Sequence, residues 1–132
     1  MKLTLKTEYA FLALLYLARN GNEHKSVSLI AKAQSIPKYF LEQILLELKK
    51  TNIVISIKGK SGGFKLNKPP DQITIAEIIR LFDGPLAATM SASKFFYKSS
   101  PIEKEKKALD LFKEIRDYLA SILEKTTLKE LI

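Results

Sequence analysis

The sequence predicts a mainly α-helical chain with one small β-hairpin: a winged helix-turn-helix followed by a long helix suited to dimerisation. Three observations carry this reading. Val27 to Leu66 reads as a short helix, a tight turn, a longer amphipathic helix and a glycine-tipped hairpin. That layout sets one helix into a DNA groove and lays the hairpin beside it. The excess of positive charge is confined to the half of the chain that holds this module. Finally, the last third carries a long apolar stripe at helical spacing, with no other element long enough to cover it.

The charge split is read directly from the residues. The net charge is +8, and residues 1–70 hold twelve Lys/Arg against four acids, whereas residues 71–132 hold ten of each sign. A one-sided basic field favours a polyanion and speeds its capture. A lysine-rich surface kept for solubility would not be restricted to one half. We therefore divide the chain into a DNA-binding region, residues 1–70, and a helical dimerisation and candidate sensing region, residues 71–132.

Composition excludes several chemistries. With no cysteine, structural disulfides, thiolate zinc sites, catalytic thiols and cysteine-ligated iron–sulfur clusters are all excluded. His24 stands alone in a polar run expected to be a solvated loop, with no second ligand nearby, so no metal site or other cofactor is predicted. No nucleophile–base pair, carboxylate dyad or phosphate loop is present, and Ser61-Gly62-Gly63 is too short for one, so no catalytic residues are assigned. Ala10 to Ala18 is apolar, but a bilayer span needs roughly twenty such residues, and no cleavage site follows. A cytoplasmic protein with no membrane partner is expected.

The first helix is expected over Leu5–Arg19. Leu5, Tyr9, Leu12 and Tyr16 share one face while Phe11, Leu14, Leu15 and Leu17 cover others, so it is buried on more than one side. Ser28 is the expected N-cap of a short helix, Leu29–Gln34. Ser35-Ile36 turns, and Pro37 fits the first turn of the next helix. There Leu41, Ile44, Leu45 and Leu48 face the core, leaving Lys38, Tyr39, Glu42, Gln43 and Lys49 outward. Asn52 can close that helix, and Ile53 to Lys58 is β-branched and strand-like. Gly59 to Gly63 turns the hairpin and Phe64 to Asn67 returns. Lys58, Lys60 and Lys65 place cations at or beside the tip, where glycines let backbone approach phosphate or enter the minor groove.

Lys68-Pro69-Pro70-Asp71 marks the boundary. Thr74-x-x-Glu77 opens a capped helix to Phe82, which Asp83-Gly84-Pro85 stops. Leu86 to Ser99 has no clear period but holds aromatics. Simple packing beneath the loop is the plainer reading, and a ligand pocket or docking surface the sharper one. Met90, Ser91, Phe95, Phe96 and Tyr97 are its candidate effector residues. Ser100-x-x-Glu103 is expected to cap a helix reaching Lys125, about 24 residues and roughly 36 Å long. Its apolar stripe, Leu109, Phe112, Leu119, Ile122 and Leu123, is the expected homodimer seam. Thr127-x-x-Glu130 caps a final short turn.

Read together, LTLKTEYAFLALLYLA, YFLEQIL, the wing KGKSGGFKL, ITIAEII with Asp83-Gly84, and LDLF…TTLKELI resemble the Rrf-two family of winged-helix repressors almost end to end. The resemblance implies a homodimeric, sequence-specific regulator, a repressor by type, acting on double-stranded DNA. By position, Tyr39, Phe40, Glu42 and Gln43 would form the reading or positioning end of the recognition helix. Lys58 stands where the family usually has a wing arginine, with Ser61, Gly62 and Gly63 at the tip. Lys6, Ser28, Lys38 and Lys60 complete the DNA-facing set. Pro37 replaces a small polar residue. Many members hold an iron–sulfur cluster through cysteines in the segment matching Leu86 to Ser99. Here Ser91 falls near the first ligand position, and a neutral hydroxyl does not replace a thiolate. The implied routes are then a small effector, a partner enzyme or constitutive binding. A protein-interaction module whose main partner is a metabolic enzyme is the competing reading, prompted by the aromatic loop.

Overall fold

The computed structural model covers residues 1–132. Helix α1 (Leu5–Arg19) forms over the expected span and is the hub of the chain. Its buried residues, among them Ala10, Ala13, Leu14 and Leu17, pack against the two head helices, the hairpin and the helix that follows. Its many-sided apolar character is thus used largely within its own chain, while Leu5 and Leu12 remain exposed. Thr4 caps the helix, its hydroxyl accepting from the Thr7 N–H. The Asp83 carboxylate closes this corner, accepting from Thr4 Oγ1 at 2.7 Å and from buried Thr7 Oγ1 at 2.6 Å. An anion at a helix N-terminus is favoured, and a buried hydroxyl needs a partner.

Helix α2 spans Val27–Gln34 and is capped by Ser26, whose Oγ accepts from the Leu29 N–H at 3.1 Å. Ser28, the cap expected from the sequence, lies instead within the first turn. The reason is tertiary. Lys25 is pinned to Phe64 by two backbone hydrogen bonds (2.9 and 2.8 Å), which keep the chain extended up to Ser26. Ser35 adopts the left-handed conformation and ends the helix. Pro37 occupies the N-cap of α3 (Lys38–Lys50) rather than its first turn, and supplies no side-chain cap. Leu41, Ile44, Leu45 and Leu48 are buried as their spacing requires.

Strands β1 (Val54–Ile57) and β2 (Gly63–Leu66) pair antiparallel, Val54 opposite Leu66 and Ile57 opposite Gly63. The turn needs its glycines. A Cβ on Gly62 would strike the Ile57 carbonyl, and one on Gly63 (φ +152°) would strike the Lys25 carbonyl and approach Ser26 N to 2.8 Å.

Pro70–Gln72 forms a 3₁₀ turn, and α4 (Ile75–Asp83) begins with the expected capping box: Thr74 N–H to Glu77 at 2.9 Å and Glu77 N–H to Thr74 Oγ1 at 3.2 Å. The buried core crosses residues 68–71 without a break. It joins α1, α2, α3 and β1 to Ile73, Ile75, Ile78, Ile79, Leu86 and Leu128. The chain end returns to make this possible, with Leu128 N–H donating to Ile73 O at 3.0 Å.

Helix α5 spans Lys106–Leu123, 18 residues or roughly 27 Å, shorter than expected. The Ser100 capping box does not form. Its hydroxyl bonds to Ser91 and, at 3.0 Å, to Thr89, while Glu103 accepts from Tyr97 and Ser99. Pro101–Lys104 becomes a 3₁₀ turn and α5 starts after it. No helix is long and apolar enough to cross a membrane.

Candidate nucleic-acid interface

The outer face of α3 is set by the core beneath it. With Leu41, Ile44, Leu45 and Leu48 fixed inward, the helical period turns Lys38, Tyr39, Glu42 and Gln43 to solvent, Tyr39 being 73% exposed. These four are brought together at the start of the helix, the end that reaches base edges in helix-turn-helix proteins. Phe40 is not with them. It is half buried, its ring meeting Tyr9 edge-on at 5.5 Å, and so props α3 against α1. Lys6 also points elsewhere. It forms an ion pair with Glu47 and lies 5.7 Å from the Phe82 ring centre, bridging α4 to the inner flank of α3. Ser28 is exposed on the first turn of α2.

The hairpin presents Lys58, Lys60 and Ser61 at its exposed tip, while Gly62 packs tightly beneath Ile57. The Lys25–Phe64 bridge fastens the hairpin to the loop before α2, fixing the wing relative to the helix pair. Lys25 also holds Glu23 at 2.7 Å. That hydrogen bond lowers the Glu23 carboxyl below its usual range and raises the Lys25 ammonium above its own. His24 is not the solvated loop residue expected. It is half buried and its Nε2 has no hydrogen-bond partner.

Sequence reasoning passed over Leu46, 52% exposed on α3, and Ile57, also exposed on the wing. The signal was present for Leu46, an apolar residue three places after Gln43 on a face otherwise polar. Behind the wing lies an open cleft of about 590 Å³ whose lining includes Ile55, Lys65, Lys68 and Pro69.

In the second region the expected seam divides. Leu109, Phe112, Leu119 and Leu123 are half buried against their own chain. Ile122 belongs to a separate exposed stripe with Leu111, Ile115 and Tyr118, spaced i, i+4, i+7, i+11. Within the candidate effector loop Ser91 is buried, whereas Met90, Phe95, Phe96 and Tyr97 are exposed. Arg80 sits 4.8 Å from the Phe95 ring, and Arg116 donates to the Ala92 carbonyl at 3.0 Å. The space on this side of the loop is about 10 Å³, whereas an open hollow of about 350 Å³ lies beside Thr89 and Ser100, walled by Ile102 and Phe112.

Comparison with known proteins agrees with this architecture. The Rrf2 family model, described as an iron-dependent transcriptional regulator, matches residues 3–132. The chain is 36% identical to the regulator NsrR of Bacillus licheniformis, over all of this chain and 92% of that protein. It is 32% identical to the regulator CymR of Bacillus subtilis, over 99% of this chain and 89% of that one. The solved structure of B. subtilis CymR, titled the global cysteine regulator, superposes with a TM-score of 0.78 at 30% identity, covering 99% and 95% of the two chains. That of T. potens IscR gives 0.75 at 26% identity, covering 99% and 85%.

The iron in the family description finds no matching donor set here. No three His, Cys, Asp or Glu residues are placed to hold a metal ion. The loop offers neutral hydroxyls, Thr89, Ser91 and Ser100, already bonded to one another, with the Arg116 guanidinium on the adjoining Ala92 carbonyl. Those groups suit neither a cationic metal nor an iron–sulfur cluster. The fold, the helix pair with its wing, and the end-to-end match have one reading: this chain belongs to the Rrf2 family of winged-helix transcriptional regulators.

Proposed function

We propose that the chain is a homodimeric, sequence-specific DNA-binding repressor that works without an iron–sulfur cluster. In this reading α3 enters the major groove through Tyr39, Glu42 and Gln43, with Lys38 at its entrance. Lys58, Lys60 and Ser61 of the wing lie along the adjacent phosphates or minor groove, with Ser28 and the turn backbone at Gly62 supporting them. Residues 1–70 supply the reading surface and residues 71–132 the pairing surface. The observation that carries the reading is the exposed outer face of α3 beside a lysine-tipped hairpin pinned by Lys25 and Phe64.

Dimerisation rests on the stripe Leu111, Ile115, Tyr118 and Ile122. Four large apolar side chains along one helix face are ordinarily covered, and a second copy of the same stripe is self-complementary. Two heads paired this way contact half-sites about one helical turn, roughly 34–36 Å, apart. A titration of labelled palindromic duplex against protein at several salt concentrations tests this. Log K is expected to fall with log[salt] by about 0.9 per phosphate neutralised, and Lys58→Ala with Lys60→Ala to flatten that slope. Binding indifferent to both salt and sequence refutes the reading.

A second reading draws on the exposed Phe95, Phe96 and Tyr97 with Lys94 and Lys98 beside them. That surface suits a partner protein, such as an enzyme that reports metabolic state. Enzyme capture that survives the two wing substitutions but not Phe95→Ala supports it.

A further inference from the structure

Leu46 is the one large aliphatic side chain on the outer face of α3 that the fold does not use. It is about half exposed, three residues after Gln43 and seven after Tyr39, so the three share one outward stripe that Lys50 closes. The buried stripe of α3 points the opposite way. Lys38 and Lys49 stand on the flank, a cationic frame that fits a polyanion better than an apolar protein surface. The apolar feature of the major groove is the thymine methyl.

The same face has no arginine. None occurs between residues 20 and 79, and Arg80 and Arg116 are engaged with Glu124 and Asp117. The planar fork that grips guanine is therefore missing, whereas the Gln43 amide suits adenine N6 and N7. Gln43 and Leu46 are about 4.5 Å apart along the axis, against about 3.4 Å per base pair, so they address neighbouring pairs.

Resting on the reading of α3 as the groove-bound helix, we propose that Leu46 determines specificity by packing on a thymine methyl, beside an adenine held by Gln43. Each half-site then carries consecutive A·T pairs beneath this part of the helix.

Duplexes enriched from a random pool by the wild-type protein supply the probe, and each thymine of one half-site is replaced singly by deoxyuridine, which removes only the methyl. Affinity is expected to fall about fourfold at one or two positions, the effect of one buried methyl. Leu46→Ala should bind the intact duplex more weakly and ignore the same replacements, while Lys58→Ala should still respond to them. Wild-type protein insensitive at every thymine, or Leu46→Ala losing the same factor, overturns the assignment and leaves DNA binding intact. A pool that enriches no duplex overturns DNA binding itself, and Leu46 as a reader with it.

Discussion

Replacing Gly63 with alanine tests how the wing is attached. The new methyl would meet the Lys25 carbonyl and approach Ser26 N to 2.8 Å, both backbone atoms that no rotamer can move. Relief requires the hairpin to retreat, breaking the Lys25 N–H to Phe64 O and Phe64 N–H to Lys25 O bonds. Two such bonds contribute about 1 kcal/mol each, and a non-glycine residue at φ +152° adds about 1–3 kcal/mol. A loss of about 3–5 kcal/mol, at a urea m-value of about 1.5 kcal/mol/M, lowers the unfolding midpoint by about 2–3 M. Gly21→Ala is the control, because Gly21 also has positive φ (+63°) but open space around it, so that substitution carries strain without collision. Amide exchange at Lys25 and Phe64 should quicken by more than the global loss that core amides such as Ile44 and Leu45 share. If Gly63→Ala costs no more than Gly21→Ala and leaves both amides protected, the bridge does not hold the wing.

Asp83→Ala should cost about 2–4 kcal/mol in urea unfolding, since it removes charge-assisted bonds to Thr4 and buried Thr7 together with a favourable helix N-terminal charge. Unchanged stability would contradict that account. Tyr118→Glu with Ile115→Glu should turn a dimer into a folded monomer in sedimentation, with circular dichroism unchanged; a persistent dimer places the seam elsewhere. The Tyr97 hydroxyl, and next the Ser99 hydroxyl, hold the Glu103 carboxyl below its ordinary range. Because the folded value is depressed, this contact is present above the unfolded carboxylate value and is lost as pH falls through the folded one. Tyr97→Phe should therefore move the Glu103 titration upward in an NMR pH series, and no movement would mean the contact is absent in solution.

Much of this arrangement is legible in the residues because it is local. The α1 span, the inward stripe of α3, the hairpin turn and the Thr74–Glu77 box follow from period, capping and glycine chemistry within a few positions. The misses share a cause, which is competition from partners outside the capping pattern. Ser26 displaces Ser28 as a cap because Phe64, far along the chain, pins Lys25. Ser100 gives up its box to Ser91 and Thr89, and Tyr97 and Ser99 draw Glu103 away, so α5 starts late. Within the site, the outward α3 residues and wing lysines lie exposed on the elements expected of them. Phe40 and Lys6 turn inward, toward Tyr9 and Glu47, partners that sequence spacing does not reveal. The exposed stripe of α5 is rotated about a quarter-turn from the residues first singled out, because the 90–92 turn and α4 cover the other half of a broad apolar arc.

The return of Leu128 to the core sets the order in which this protein can come into being. The core it completes draws on residues from Ala10 onward, so a chain emerging from the ribosome cannot seal it until Leu128 is free. Helices and the hairpin, being local, can flicker into shape earlier, but such long-range closure is slow and leaves apolar surface open meanwhile. Helix α1, on which α3 packs, is fully covered only once Leu128 has been released. A fragment cut at residue 70 would keep every proposed DNA-contacting side chain and still lack α4 and the Leu128 turn, which pack against α1.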